Sequence, residues 1–381
     1  MKKDIEIIPV SNKDSFGEVI PKNWEIKTLN DACDFLDSQR IPIKDIDRTK
    51  IPGIYPYYGA SGIIDYVNKY IFDEDLILLA EDGANIINRS TPIAFLVNGK
   101  IWVNNHAHVL KARPIIDRYY LCAYLESLKY DKYNTGTAQP KLNRETCEKL
   151  PVLIPPFPEQ QKIANILNTW DKAIEKQTQL IEKLELRKKG LIQQLFTGKK
   201  RLPGFSGEWK KVKLGDVAYI IGGGTPDTDV DNYWDGSIPW FTPTEIGEEK
   251  YVVVSKRCIT MDGVNNSSAK ILPVGAILFT SRASIGLKAI SLREATTNQG
   301  FQSLIVNKDN DTEYIYYLLD VIKNKLIRNA SGSTFLEISS SSMKNVSFEI
   351  PELIEQIAIA NILSLCDNEI LLAKQKLNKF R

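Results

Sequence analysis

Downstream of Pro158, apolar residues recur in alternating steps of four and three: Ile163, Leu167, Trp170, Ile174, Ile181, Leu184, Leu191 and Leu195, with Gln177 and Lys188 as polar interruptions. A second series runs Ile359, Leu363, Cys366, Ile370, Ala373, Leu377 and Phe380 without interruption. This spacing draws one apolar stripe along a helix and is the seam pattern of a coiled coil. Lys172, Glu175, Lys176, Glu182, Lys183 and Arg187 lie between the seam positions and suit a solvated face. Thr197-Gly198 supplies a stop for the first helix. Residues 159–196 then span roughly 55 Å at 1.5 Å per residue. The competing reading is an amphipathic helix laid on a globular core, and helices this long seldom lie on one compact domain.

The segments before each helix carry mixed patterns. Ile93–Val97, Asn98-Gly99 and 100–103 read as a hairpin, and Asp75-Leu76-Ile77-Leu78-Leu79-Ala80 as a buried strand. Residues 114–130 read as a helix. Gly275-Ala276-Ile277-Leu278-Phe279-Thr280 repeats the buried strand, and Asp311-Thr312 caps a helix through Ile315, Leu318, Leu319, Ile322 and Leu326. Both bodies are therefore α+β.

The chain is written twice. Pro155-Pro156-Phe157-Pro158-Glu159-Gln160, followed by Ile163-Ala164-Asn165-Ile166-Leu167 and Asp171, matches Pro351-Glu352-Leu353-Ile354-Glu355-Gln356, Ile359-Ala360-Asn361-Ile362-Leu363 and Asp367 at a constant offset of 196 residues. Trp24 and Trp209 begin the two units. Between these landmarks the sequences diverge, as one fold carrying two different surfaces would. If the units are equivalent, the second helix returns along the first, and the helices pair antiparallel about a pseudo-twofold axis.

The sequence has 381 residues, 43% hydrophobic and 25% charged, which fits globular domains rather than disorder. No segment reads as long and apolar enough to cross a membrane, and the start lacks a secretory pattern, so a cytoplasmic location is expected. Cys33, Cys122, Cys147, Cys258 and Cys366 are scattered, without metal or redox spacing, and read as reduced thiols. A net charge of +2 gives little global attraction to nucleic acid, so any such contact must be local.

Two divergent bodies, each followed by a proline-led Glu-Gln segment and a long helix, resemble the specificity subunit of type I restriction–modification enzymes. The resemblance rests on residues 150–160 and 350–356, with Tyr55-Pro56-Tyr57-Tyr58-Gly59-Ala60-Ser61-Gly62-Ile63 and Gly223-Gly224-Thr225-Pro226 as further family-like segments. It implies a tail (1–20), a first target-recognition domain (21–154), a first spacer helix (155–198), a linker (199–207), a second target-recognition domain (208–350) and a second spacer helix (351–381). It implies that each domain reads half of a gapped, bipartite site on double-stranded DNA. The helices would act as a ruler and as the platform for two methyltransferase subunits, through which restriction (translocase) subunits join. The second helix stops at Arg381, shorter than the first. DNA repeats every ~34 Å, so readers on such a rod would touch segments one to two turns apart.

Base readout favours Arg, Lys, Asn, Gln, Ser and Thr on loops. The candidates are Asn85, Asn88, Arg89, His106, Thr137, Gln139, Lys141 and Asn143 in the first body, and Thr280, Ser281, Arg282, Ser284, Ser333 and Thr334 in the second. Tyr57, Tyr58, Trp240 and Phe241 are candidates for stacking on DNA. Ordinary polar turns and core aromatics are the competing interpretation.

No catalytic residue, cofactor or metal set is expected. Pro155-Pro156-Phe157 lacks the polar residue that an adenine methyltransferase loop needs, and Gly222-Gly223-Gly224-Thr225 lacks the end of a phosphate-binding loop. Asp227, Glu248 and Lys250 could form a Mg²⁺ nuclease set, but the first body has no equivalent. His106 and His108, placed on one strand face, lack a third zinc ligand. A coiled-coil scaffold unrelated to DNA is the alternative from a different class.

Overall fold

The computed structural model describes residues 20–136, 139–332 and 336–380. The chain divides into two compact units, Met1–Glu175 and Lys176–Arg381, with the division inside one continuous helix. Thr137, Ser333, Thr334 and tail residues 1–19 lie outside the described residues.

In the first unit the strands are β1 (Glu25–Thr28), β2 (Cys33–Phe35), β3 (Pro52–Gly59), β4 (Gly62–Val67), β5 (Phe72–Asp73), β6 (Leu76–Ala80), β7 (Ala94–Val97), β8 (Lys100–Val103), β9 (Ala107–Ala112) and β10 (Pro151–Ile154). The helices are α1 (Leu29–Ala32), α2 (Asp45–Arg48), α3 (Asn85–Asn88), α4 (Arg118–Ser127), α5 (Arg144–Glu148) and the long α6 (Phe157–Leu195). One sheet runs β2-β9-β6-β7 and another β4-β3-β8-β5, while β1 pairs antiparallel with β10. All of β6 is buried, which explains its unbroken apolar run.

The second unit repeats this plan. Its strands are β11 (Lys210–Lys213), β12 (Ala218–Gly222), β13 (Trp234–Phe241), β14 (Tyr251–Val252), β15 (Arg257–Ile259), β16 (Ile277–Phe279), β17 (Lys288–Ser291), β18 (Thr296–Thr297), β19 (Gln302–Val306) and β20 (Ser347–Ile350). Its helices are α7 (Leu214–Val217), α8 (Met261–Asn265), α9 (Thr312–Val321), α10 (Lys323–Arg328), α11 (Ser340–Lys344) and α12 (Leu353–Phe380). The sheets are β12-β19-β16-β17-β14 and β15-β13-β18, and β11 pairs with β20. The architecture is α+β in both copies.

The repeated Glu-Gln motif has a structural cause. Gln160 accepts from the Asp117 N–H (2.8 Å) and donates to the Pro155 carbonyl (2.8 Å). Gln356 accepts from the Asp311 N–H (3.0 Å) and donates to the Pro351 carbonyl (3.0 Å). Asp117 and Asp311 are themselves the N-caps of α4 and α9. Each buried glutamine thus clasps the start of a long helix to the cap of a body helix, satisfying groups that burial would otherwise leave unpaired.

The Gly223-Gly224 segment is steric in origin. A Cβ at Gly223 would stand 2.0 Å from the Asn298 carbonyl oxygen, and one at Gly224 2.3 Å from the Ala269 nitrogen. Only glycine permits that backbone approach.

Several expectations are corrected. The hairpin across Asn98-Gly99 does not form: β7 pairs with β6, whereas β8 pairs with β3 and β5 in the other sheet. The helix expected over 114–130 is confined to Arg118–Ser127, because Asp117 caps it. α12 is long and apolar enough to cross a membrane by composition, with a mean hydropathy of 1.3. Its apolar stripe is instead spent on packing within the second unit, where Ile359, Leu363, Cys366, Ile370 and Ala373 are buried. Ile359 and Leu363 belong to one core with Leu195 of α6 and Tyr314 of α9, so this end of the stripe packs on the body as well as on the end of the first long helix.

Within the second unit, the end of α6 lies antiparallel to α12. Gln177 bonds to Ala373, Glu185 pairs with Lys374 (2.7 Å), Arg187 with Glu369 and Lys188 with Asp367. Ile181 is buried and Leu184 half-buried there, and Leu377 is half-buried on α12. In the first unit, Ile163 and Ile174 are half-buried, while Leu167 and Trp170 are 38% and 50% exposed, so the apolar series does not continue there as a buried seam.

Candidate nucleic-acid interface

Equivalent loops converge at one place in each unit. In the first, residues 60–64 after β3, 82–85 after β6, and Asn104 and His106 between β8 and β9 line a pocket of about 450 Å³. In the second, Pro243 and Thr244, residues 282–284, and 298–300 line a pocket of about 370 Å³. These are the corresponding connections of the repeated fold.

Several of the expected DNA-reading residues serve the backbone instead. Asn85 accepts from Thr91 N–H (2.9 Å) and from the Ser90 hydroxyl (3.1 Å), bracing its own turn. Arg89 has a positive φ of 52° and donates to the Leu128 carbonyl (3.2 Å) and the Glu126 carboxylate (3.2 Å), tying α3 to the end of α4. Asn143 caps α5 through Thr146 N–H (2.8 Å). Thr280 is wholly buried, accepts from Leu287 N–H (2.9 Å) and donates to the Ser284 carbonyl (2.5 Å). Ser281 is also wholly buried. Short polar side chains at loop ends readily satisfy nearby backbone groups, which makes them poor indicators of ligand contact.

The other candidates are exposed. Asn88, Gln139 and Ser284 stand at the surface, and Arg282 is half exposed, 3.8 Å from Glu337. The Lys141 ammonium lies beside Glu81 (3.3 Å), while its backbone forms a β-bridge with that of Asp82. His106 faces Asp82, its Nδ1 2.9 Å and 3.0 Å from the two carboxylate oxygens.

The aromatic candidates are corrected. Tyr57, Trp240 and Phe241 are buried and Tyr58 is half-buried. The Tyr57 hydroxyl accepts from Ile43 N–H (3.0 Å), and the Trp240 indole donates to the Gly224 carbonyl (2.9 Å). Packed into hydrophobic clusters, they belong to the interior rather than to an exposed stacking surface.

The two histidines also separate. His106 sits in an exposed turn, whereas His108 is wholly buried, bonded to Asp37 (2.6 Å) and the Leu142 carbonyl (2.8 Å). Burial disfavours the charged imidazole, but the bond to Asp37 prevails and pushes His108 up to about 10. Lys250 is committed to the Tyr317 hydroxyl (2.8 Å), Ser364 (3.0 Å) and Glu313, so it is not available to a metal set with Asp227 and Glu248.

Sequence reading missed Asp82, Asn104, Asn298, Gln299 and Thr244, all of which line the paired pockets. Aligning the two buried strands, Asp75–Ala80 with Gly275–Thr280, carries Asp82 onto Arg282 and was the available signal.

A duplicated α+β recognition fold, with differing loops on matching scaffolds, defines a two-module binding protein. The family model described as "Type I restriction modification DNA specificity domain" matches residues 21–186 and again 206–380. The chain belongs to this family, the DNA-specificity subunits of type I restriction–modification systems. The EcoR124I/EcoR124II specificity subunit of Escherichia coli is 30% identical over 92% of this chain and 85% of its own length. The MjaVIII specificity subunit of Methanocaldococcus jannaschii is 26% identical over 94% and 89%. The MjaIX subunit of the same organism is 40% identical, but the match spans 43% of this chain and only 39% of that relative. The crystal structure of an S subunit from M. genitalium superposes with a TM-score of 0.62 at 16% identity, covering 98% of this chain and 95% of that one. A chain from a type I R-M system studied for complex assembly and conformational transition gives 0.56 at 19% identity and 94% coverage of both.

Proposed function

We propose that each module of this specificity subunit reads one half of a gapped, bipartite double-stranded DNA site through the loop cluster around its pocket. The observation that carries this is the pairing of matching loop scaffolds with different side chains: Asp82 and His106 in one module, Arg282 and Gly300 in the other. A single fold used twice with altered surfaces suits two unlike targets.

The chain itself acts as a non-catalytic, cytoplasmic subunit, with domain limits near those of the sequence reading. The long helix α6, roughly 58 Å for 39 residues, serves as spacer between the half-sites. Large apolar residues stand exposed along the helices, including Ile166, Trp170 and Leu186 on α6 and Leu365, Leu371 and Leu372 on α12. Such patches support docking of two methyltransferase subunits, through which restriction subunits join.

Gel retardation on random and then selected duplexes tests this reading. The expected result is salt-sensitive retardation with a two-part sequence preference. A protein-interaction scaffold would show neither, and a self-sufficient nuclease would cut DNA in Mg²⁺ without partners.

A further inference from the structure

The strands and loops that hold residues 81–83 and 280–284 are superimposable in their bonding. In the first module, Gly83 N–H donates to the Pro140 carbonyl (3.0 Å), Leu142 N–H to the Glu81 carbonyl (2.7 Å), and Glu81 N–H to the His106 carbonyl (2.9 Å). In the second, Ala283 N–H donates to the Leu336 carbonyl (3.2 Å), Ile338 N–H to the Ser281 carbonyl (2.9 Å), and Ser281 N–H to the Gly300 carbonyl (2.8 Å). Gly83 and Ala283 both have positive φ, 112° and 59°. The backbone of Asp82 forms an antiparallel β-bridge with that of Lys141, as that of Arg282 does with Glu337. Residues 82 and 282 therefore occupy one position of the fold, and 141 and 337 another.

The charges at these two positions are reversed between the modules: acid then base in the first, base then acid in the second. A phosphate contact would call for a cation at the same position in both copies. A base contact does not, because base edges present donors at some positions and acceptors at others. The surroundings follow the reversal. His106 N–H and Gly300 N–H both donate to an asparagine side chain, Asn104 (2.8 Å) and Asn298 (2.9 Å), so they too are equivalent. Where the first module places an imidazole against Asp82, the second has glycine, leaving room beside the longer Arg282. The two side-chain oxygens of Asp82 offer more acceptor lone pairs than His106 alone can use.

We propose that residues 82 and 282 form one shared base-reading position with opposite hydrogen-bonding sense in the two half-sites. Arg282 donates to the O6 and N7 acceptors of a guanine, and Asp82 accepts from the exocyclic amine of a cytosine or adenine. The inference rests on the DNA-reading function above and names the base chemistry at each half-site.

The test is selection from a random duplex library by the full chain assembled with its methyltransferase subunits, for the parent, Arg282→Gln, Arg282→Lys and Asp82→Asn. A parent that selects no motif refutes the DNA-reading function itself. Given a parent motif, Arg282→Gln is expected to lose discrimination about tenfold or more at one G·C pair of one half-site. Arg282→Lys, which keeps the charge without the bidentate fork, is expected to weaken the same pair. Asp82→Asn is expected to change one pair of the other half-site alone. An unchanged motif, a uniform loss on all sequences with a shallower salt dependence, or a change in the same half-site for both positions overturns the proposal while leaving the parent motif, and so the function, intact.

Discussion

Gln177 donates its side-chain amide to the backbone carbonyl of Ala373, 2.9 Å away and buried. Under the repeat offset these are equivalent residues, so the antiparallel helices meet here at matching points of their own sequences. Gln177 is one of two polar interruptions in the apolar series of α6, and Lys188, the other, pairs with Asp367 and lies over the Tyr317 ring (5.2 Å). Both interruptions are thus partnered in the packing.

Buried polar seam residues commonly fix register at some cost in stability. Gln177→Leu is expected to change stability by no more than about 1 kcal/mol, since an apolar side chain needs no partner there. Gln177→Glu sets a charge against a carbonyl and is expected to cost about 3 kcal/mol or more. Urea denaturation of the full chain measures both.

The glutamine clasps are expected to act separately on their own modules. Gln356→Ala leaves the Asp311 N–H and Pro351 carbonyl without this partner and should cost about 1–3 kcal/mol. Gln356→Glu keeps the acceptor for Asp311 but buries a charge against the Pro351 carbonyl, and is expected to cost about 3 kcal/mol or more. Chemical denaturation followed by hydrogen exchange would locate the loss at the starts of α9 and α12.

His108 gives a stability that depends on pH. Its folded pKa is raised to about 10 by Asp37 despite burial, whereas an unfolded histidine titrates near ~6.5. The stabilisation is present in full below ~6.5 and is lost as pH rises toward 10. Asp37 is held below the usual carboxylate range by the same bond, against the opposing effect of burial, so its contribution is lost on acidification. His108→Asn is expected to lower stability by about 3–5 kcal/mol near pH 6, as for breaking a buried pair, and to flatten the decline between pH 6.5 and 10. Thermal melts across that range report both effects.

Thr280→Val removes a wholly buried hydroxyl that links Leu287 and Ser284 while keeping the side-chain shape. The expected loss is about 1–3 kcal/mol, with weaker DNA selectivity arising from a slack loop rather than a missing contact. Thr280→Ser, which retains the hydroxyl, should restore most of it. Paired denaturation and retardation assays separate these effects.

The elements legible in the sequence are those whose signals are local and repeated. The seam residues of α12, the cap Asp311, and the apolar run of β6 all follow from short-range periodicity or capping chemistry. Strand partners were less accessible. β7 and β8 flank a turn-forming Asn-Gly pair yet enter different sheets, because β8 pairs with β3, more than forty residues earlier in the chain. The loop residues were hardest to place. Arg89 and Arg282 look alike in sequence, but one is bound to the end of a helix and the other is half exposed. The equivalence of Asp82 and Arg282 is obscured because insertions and deletions shift the offset between the copies along the chain.

The bonds that position residues 82 and 282 run through main-chain N–H and carbonyl groups, which every ordinary amino acid supplies. Side chains at those points can therefore drift without dismantling their support. Preference and robustness are free to vary independently, so a lineage could acquire a new target through a single codon while its melting temperature stays where it was.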